Sequence, residues 1–236
     1  MAEPVQLPAG WIRHRPAAAT AYEVIALVLA VVPAVLGPVL FGAVRLWSIL
    51  PLTVAAWTAF LLLVLRPIVF RAVVPWSEPP GTLTGLVFLA YVVARIPGAI
   101  SPYEAMLRAL MIGAGWAAYV TVANLAGRGG RWKWVLGAVL LVAASNGVYA
   151  WTQHLQGSRA VLWLERDVSY GMRMGGTYVC PNHFANLLAM AAALAVAILV
   201  SPEVGWTLKV IAAYAAVVIP WPLALSQSRS GVASAI

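Results

Sequence analysis

Charge is what this sequence has least of. Asp, Glu, Lys and Arg make up 9% of its 236 residues, against about 25% in soluble domains. A soluble fold of this size could not cover its surface with so few. Acid is scarcest, with seven Asp and Glu against fifteen Lys and Arg. A single cysteine, Cys180, excludes an internal disulfide. The three histidines, His14, His154 and His183, stand apart, and no Cys, His and Asp group has ligand spacing, so neither a metal nor a cofactor is expected. The start, MAEPVQLPAGWIRHRPAAAT, is polar and basic with no cleavable leader pattern, so the first helix is read as an uncleaved anchor. No internal or inverted repeat of the transporter kind is visible.

What fills the chain instead is apolar: 63% hydrophobic residues, with eleven Trp and sixteen Pro. Lipid solvates apolar side chains directly, Trp favours the bilayer interface, and Pro is tolerated in membrane helices. A span needs about 20 apolar residues. Uncharged runs of that kind cover residues 24–44, 46–65, 110–127, 134–153, 182–200 and 210–225, with a shorter, weaker one at 79–94. Residues 231–236 read as the opening turn of a further helix, and the chain as the N-terminal part of a longer protein. The expected fold class is therefore all-α, a polytopic membrane helix bundle of about seven transmembrane helices plus the start of an eighth. Residues 1–21 form a cytoplasmic tail, 22–236 the transmembrane domain, and 154–181 its outer loop. The net charge of +8 is spread as short flanks between apolar runs and forms no stripe, which excludes nucleic acid and suits anchoring to membrane lipid. With the N-terminus inside, Arg66, Arg128, Arg131 and Lys209 fall on the inner side and Arg45, Arg159, Arg166, Arg173 and Arg229 on the outer.

Two places break the apolar pattern beyond anchoring: ERDVSYGMRMGGTYVCPNHFANLLAM at 165–190, and SQSRSG at 226–231. One helix goes in between them and one comes back, so both fall on one membrane face. Gly175 and Gly176 permit a tight turn, Pro181 suits a first helical turn, and Arg173 stands just before. Together with Asn182 and the positive end of the following helix, this suits a phosphate or pyrophosphate. It also suits a glycine turn with a helix cap and an arginine reaching to headgroups. Arg229 ends a long uncharged run among Ser226, Gln227, Ser228 and Ser230, and a charge there needs a partner or water. His183 could serve as base or acid or merely bond the loop. Glu165 and Asp167 are expected to pair locally with Arg166. Asn146 either lines a polar cavity or holds helices together.

GGTYVCPNHFANLLAM at 175–190, followed one helix pair later by LSQSRSG at 225–231, resembles the O-antigen ligase and O-antigen polymerase superfamily of bacterial envelopes. Arg173, Gly176, Thr177, Pro181, Asn182, Phe184 and Ala185 match its first motif, with Tyr178 in place of Phe and Cys180 where Asn is common. Ser228, Arg229 and Gly231 match the second, and GVYAWTQ at 147–153 is similar to the end of the preceding helix. The resemblance implies metal-independent transfer of a glycan from undecaprenyl pyrophosphate to a hydroxyl of lipid A–core or of another glycan, at the periplasmic face of the bacterial inner membrane. Arg229 and Arg173 would be catalytic, stabilising the pyrophosphate. Gly176, Thr177, Asn182, His183 and Ser228 would bind substrate, and the base would lie in a large outer loop beyond this chain. The competing reading is a non-enzymatic transporter or flippase for a lipid-linked or anionic solute, which would carry charges along a path to both faces.

Overall fold

The computed structural model describes residues 17–70 and 78–233. Most of the cytoplasmic tail, Arg71 in the basic stretch after the second run, and the last three residues of the expected eighth helix lie outside the described residues. Apolar runs without β-branched alternation become helices: α1 (Ala17–Val39), α2 (Leu46–Phe70), α3 (Thr82–Ala94), α4 (Pro102–Leu125), α5 (Trp132–Leu155), α6 (Pro181–Val200), α7 (Trp206–Val218), α8 (Pro220–Leu225) and α9 (Arg229–Ala233). Six stretches are long and apolar enough to cross a membrane, the sixth being α7 and α8 taken together as Trp206–Leu225. That last span changes direction slightly at Ile219, before Pro220, whose ring cannot continue the hydrogen-bond ladder.

Small residues let the helices approach. Ala143, Ala144, Ala185, Ala191, Ala195, Ala212 and Ala215 pack α5, α6 and α7 into one core with Leu140, Phe184 and Ile219. A second core joins α1, α2 and α4 through Ala26, Leu27, Leu63, Val120 and Leu125. Trp132, at the head of α5, packs against both. Without a hydrophobic drive between helices in lipid, such close van der Waals packing carries the association. α3 buries none of its residues and lies along α4, where Trp116 Nε1 donates to the Thr82 carbonyl at 3.1 Å. Interfacial tryptophans mark both ends of the bundle: Trp134 and Trp206 begin α5 and α7, while Trp47 and Trp163 lie at the other end, all largely exposed.

One feature of the interior departs from the expected pattern. Glu23 is 1% exposed, and three arginines reach it from two other segments. Arg66 of α2 pairs with Oε1, Arg128 lies 3.1 Å from Oε1, and Arg131 lies 3.1 Å from Oε2. The turn that delivers the last two depends on Gly129 and Gly130, at φ 62° and 70°, where a side chain would be strained. The expectation that these arginines anchor helix ends to headgroups is thus corrected: they converge on a carboxylate inside the bundle.

Candidate functional site

At the end of the bundle opposite Glu23, three segments interlock. The first is the turn between α1 and α2, where Phe41, Gly42 and Ala43 all have positive φ. Phe41 is fully buried and meets Trp163 edge to face at 4.8 Å. The second is the loop after α5, which opens with a short antiparallel hairpin pairing Ala160 with Glu165 and Val161 with Leu164. Tyr149 at the end of α5 accepts from the Leu162 N–H through its hydroxyl, fixing the hairpin to the helix. The third is the turn between α8 and α9.

Arg173 ties the second segment to the third. Its Nε donates to the Ser226 carbonyl at 2.8 Å, and its Nη2 donates to Asn182 Oδ1, in the first turn of α6, at 2.7 Å. Beside it the Met174 N–H donates to the Leu225 carbonyl. From the other motif, Gly231 packs so tightly on α6 that an added Cβ would stand 2.6 Å from that of Ala185. Both motifs therefore gather around the N-terminal turns of α6. Arg229 begins α9 with its side chain exposed, and Asn182 and His183 are exposed beside the α6 N-terminus. Ser228 is 2% exposed, with its Oγ accepting from the Gly231 N–H at 3.3 Å.

The two glycines serve the protein's own packing. A Cβ on Gly175 would meet Arg166 Nη1 at 2.2 Å, and one on Gly176, at φ 55°, would meet Phe184 at 2.8 Å. The close approach they permit is taken by a guanidinium and a ring. Thr177 is buried, and its hydroxyl lies against the Pro38 carbonyl and Asn146 Oδ1. Of the two readings open for Asn146, the arrangement matches the second, holding α1, α5 and the loop together. Tyr178 covers Gly42 and tilts against Phe184, and burial pushes its pKa up to about 12.

Arg166 was read from the sequence as a partner of its neighbours, and this is corrected. Asp167 accepts from the Ser169 N–H instead, which lowers its pKa, and among the described residues Arg166 makes no ion pair with either acid. It turns inward, 8% exposed, and donates through Nη2 to the Arg173 carbonyl at 2.5 Å. Burial, and then the Arg173 guanidinium, lower its pKa from the usual arginine value. Tyr170 is raised by Cys180 beside it. Arg166 and Arg173 thus lie together at this rim, and Arg229 follows three residues after Ser226, whose carbonyl Arg173 holds. Among the described residues no group of His, Cys, Asp and Glu could hold a metal ion.

Sequence reading missed Arg166 and Glu23. The signal for Arg166 was its place in a loop whose two acids, Glu165 and Asp167, cannot neutralise the three arginines Arg159, Arg166 and Arg173. Glu23 offered only its position, one residue before an uncharged run.

The spans, the aromatic ends and the exposed apolar helix faces define a multi-pass helical membrane protein. No protein-family model, curated protein or solved structure matches the chain.

Proposed function

We propose that this chain is the membrane-embedded part of a glycan-transfer enzyme of the O-antigen ligase and polymerase type. Its donor is a glycan on undecaprenyl pyrophosphate, its acceptor a hydroxyl of lipid A–core or of another glycan, and its reaction face is the periplasmic side of the inner membrane. On this reading α3 counts as a seventh crossing and α9 opens an eighth.

One observation carries the reading: Arg173 bonds both to the Ser226 carbonyl and to Asn182, so residues of the two resembling motifs share one rim. Two N–H groups of Arg173 are committed to positioning, and its Nη1 remains to face a diphosphate. Arg229, exposed across the same helix turns, supplies a second guanidinium, and the N-terminus of the 20-residue α6 adds partial positive charge. As the glycosidic bond to the diphosphate breaks, negative charge grows on the leaving oxygen, and fixed guanidinium donors stabilise it without a metal. Arg166 beneath Arg173 raises the local positive potential. Gly176, Thr177 and Ser228 act by shaping the loop, while Asn182 and His183 remain accessible to substrate.

Glycan transfer by the full-length protein tests this. Arg229→Ala is expected to lower the rate by about 100-fold or more, the scale for losing one transition-state donor. Undiminished transfer would sink the role of Arg229.

The transporter reading draws on the arginine cluster at the opposite end of the bundle. Between the two ends, however, α1 contributes Ala26, Leu27 and Ala30 to the buried interior, an apolar stretch. Translocation of a lipid-linked glycan in proteoliposomes, with no transfer product, would favour it.

A further inference from the structure

Arg166 is a buried cation that, among the described residues, meets no acid. The two acids beside it in sequence are turned to other uses: Glu165 stays exposed on the hairpin, and Asp167 accepts from the Ser169 N–H. Its Nη2 donates to the Arg173 carbonyl, while its Nε is buried and meets no acceptor among the described residues. Burial first, and then the Arg173 guanidinium, disfavour its charge. Arginine nevertheless keeps its proton inside proteins.

A buried charge without an opposite partner lowers stability. Packing alone does not call for one here, since an uncharged side chain of similar length could lie over Gly175, where Nη1 now sits. What sets the position apart is what it holds. Arg166 carries the Arg173 carbonyl, and Arg173 in turn carries the Ser226 carbonyl and Asn182. The interior charge stands one hydrogen bond behind the main chain of the guanidinium that joins the two motifs. Salt screens a buried charge far less than an exposed one, so its field persists at the rim.

We infer that Arg166 is a positioning residue for diphosphate binding at this rim: it fixes the main chain of Arg173 and adds an interior charge that a diphosphate on Arg173 neutralises. The inference rests on the reading of the rim as a diphosphate site. It adds that this chain gives up stability at Arg166 in return for affinity, so the two properties move in opposite directions when the charge is removed. A residue that only packed the loop would move them together.

The test titrates the full chain in detergent with inorganic pyrophosphate, read by calorimetry, and follows thermal unfolding of the same samples without it. Arg166→Gln keeps a donor for the Arg173 carbonyl and loses the charge. It should weaken pyrophosphate binding about tenfold, the scale of one unit charge at short range inside a protein, while its thermal midpoint holds or rises. Arg166→Lys keeps the charge and should bind far more like the unaltered chain than like Arg166→Gln. A sharp fall in the Arg166→Gln midpoint would make Arg166 a packing residue and overturn the inference. Pyrophosphate binding by Arg166→Gln as tight as that of the unaltered chain would also overturn it. Inorganic phosphate, which carries the single phosphoryl group of a lipid headgroup, should bind more weakly than pyrophosphate, and equal binding would overturn the assignment to a diphosphate. No binding of pyrophosphate by the unaltered chain would instead remove the diphosphate reading of the rim itself.

Discussion

Gly176 shows how a residue can be legible as important and still be read for the wrong reason. A glycine pair before a helix suggests close approach by a ligand, yet the space over Gly176 is occupied by Phe184 and the Asn146 carbonyl, 2.8 and 3.1 Å from where a Cβ would stand. Gly176→Ala should therefore destabilise the loop by about 2–4 kcal/mol, part from the left-handed backbone and part from the clash. Thermal unfolding in detergent measures this, and an unchanged midpoint would contradict the packing described. Tyr178, three residues before α6, makes a pH-dependent claim. Its pKa of about 12 lies above the ordinary 10.0, because burial disfavours the phenolate. The neutral form is favoured in the fold, so the contribution is complete below pH 10, declines as pH rises through 12, and amounts to roughly 2 kcal/mol. Ultraviolet titration should find a late-ionising tyrosine component, and Tyr178→Phe should reduce it. A folded protein whose tyrosines all ionise near pH 10 would show Tyr178 to be solvated.

At the scale of elements, the apolar runs translated into helices because each is long enough to satisfy its own backbone within the bilayer. The run read as 24–44 became Ala17–Val39, and that read as 110–127 became Pro102–Leu125. The second began earlier because Pro102 favours a first helical turn and because Glu104 and Arg108 are tolerated within the helix. The gathering of the two polar motifs on α6 was legible from topology alone, since one helix pair returns the chain to its starting face. The inward turns of Glu23 and Arg166 were not. A charged residue beside an apolar run has the same local pattern whether it meets water or a partner, and Arg66, Arg128 and Arg131, which meet Glu23, are 43 or more positions away. Its neutral amide variant tests the network. In Glu23→Gln three arginines lose their shared carboxylate, and the loss of one partner from a buried ion cluster costs about 3–5 kcal/mol. The thermal midpoint should fall sharply in detergent, with little change at the opposite rim. A midpoint equal to that of the unaltered chain would mean that water, not Glu23, solvates these guanidinium groups.

The whole molecule poses a question of parity that the short α3 decides. Arg66, near the end of α2, and Arg128, just past the end of α4, both meet Glu23. Trp57, in the first half of α2, donates to the Leu110 carbonyl in the first half of α4. α2 and α4 therefore run in the same direction, and the chain between them must return across the bundle. α3 is the only α-helix described there; its 13 residues rise about 20 Å, less than the ~30 Å core. Its course is the right one, since Tyr119 reaches the Pro80 carbonyl while Gly113 lies near Leu89, so α3 descends antiparallel to α4. A crossing by α3 beside the six spans would give a definite pattern of sidedness. With Cys180 replaced by Ser, single cysteines at the exposed positions Gln156 and Ser101 should react with an impermeant maleimide from one side of the membrane, and those at Glu203 and Glu78 from the other. Should Ser101→Cys label together with Glu78→Cys, α3 would not cross. α4 would then have to enter from the end where it now leaves, and the meeting of Arg66 and Arg128 at Glu23 could not survive that reversal. Labelling of Gln156→Cys and Glu203→Cys from one side would break the bundle at α6, and with it the shared rim on which the proposed transfer depends.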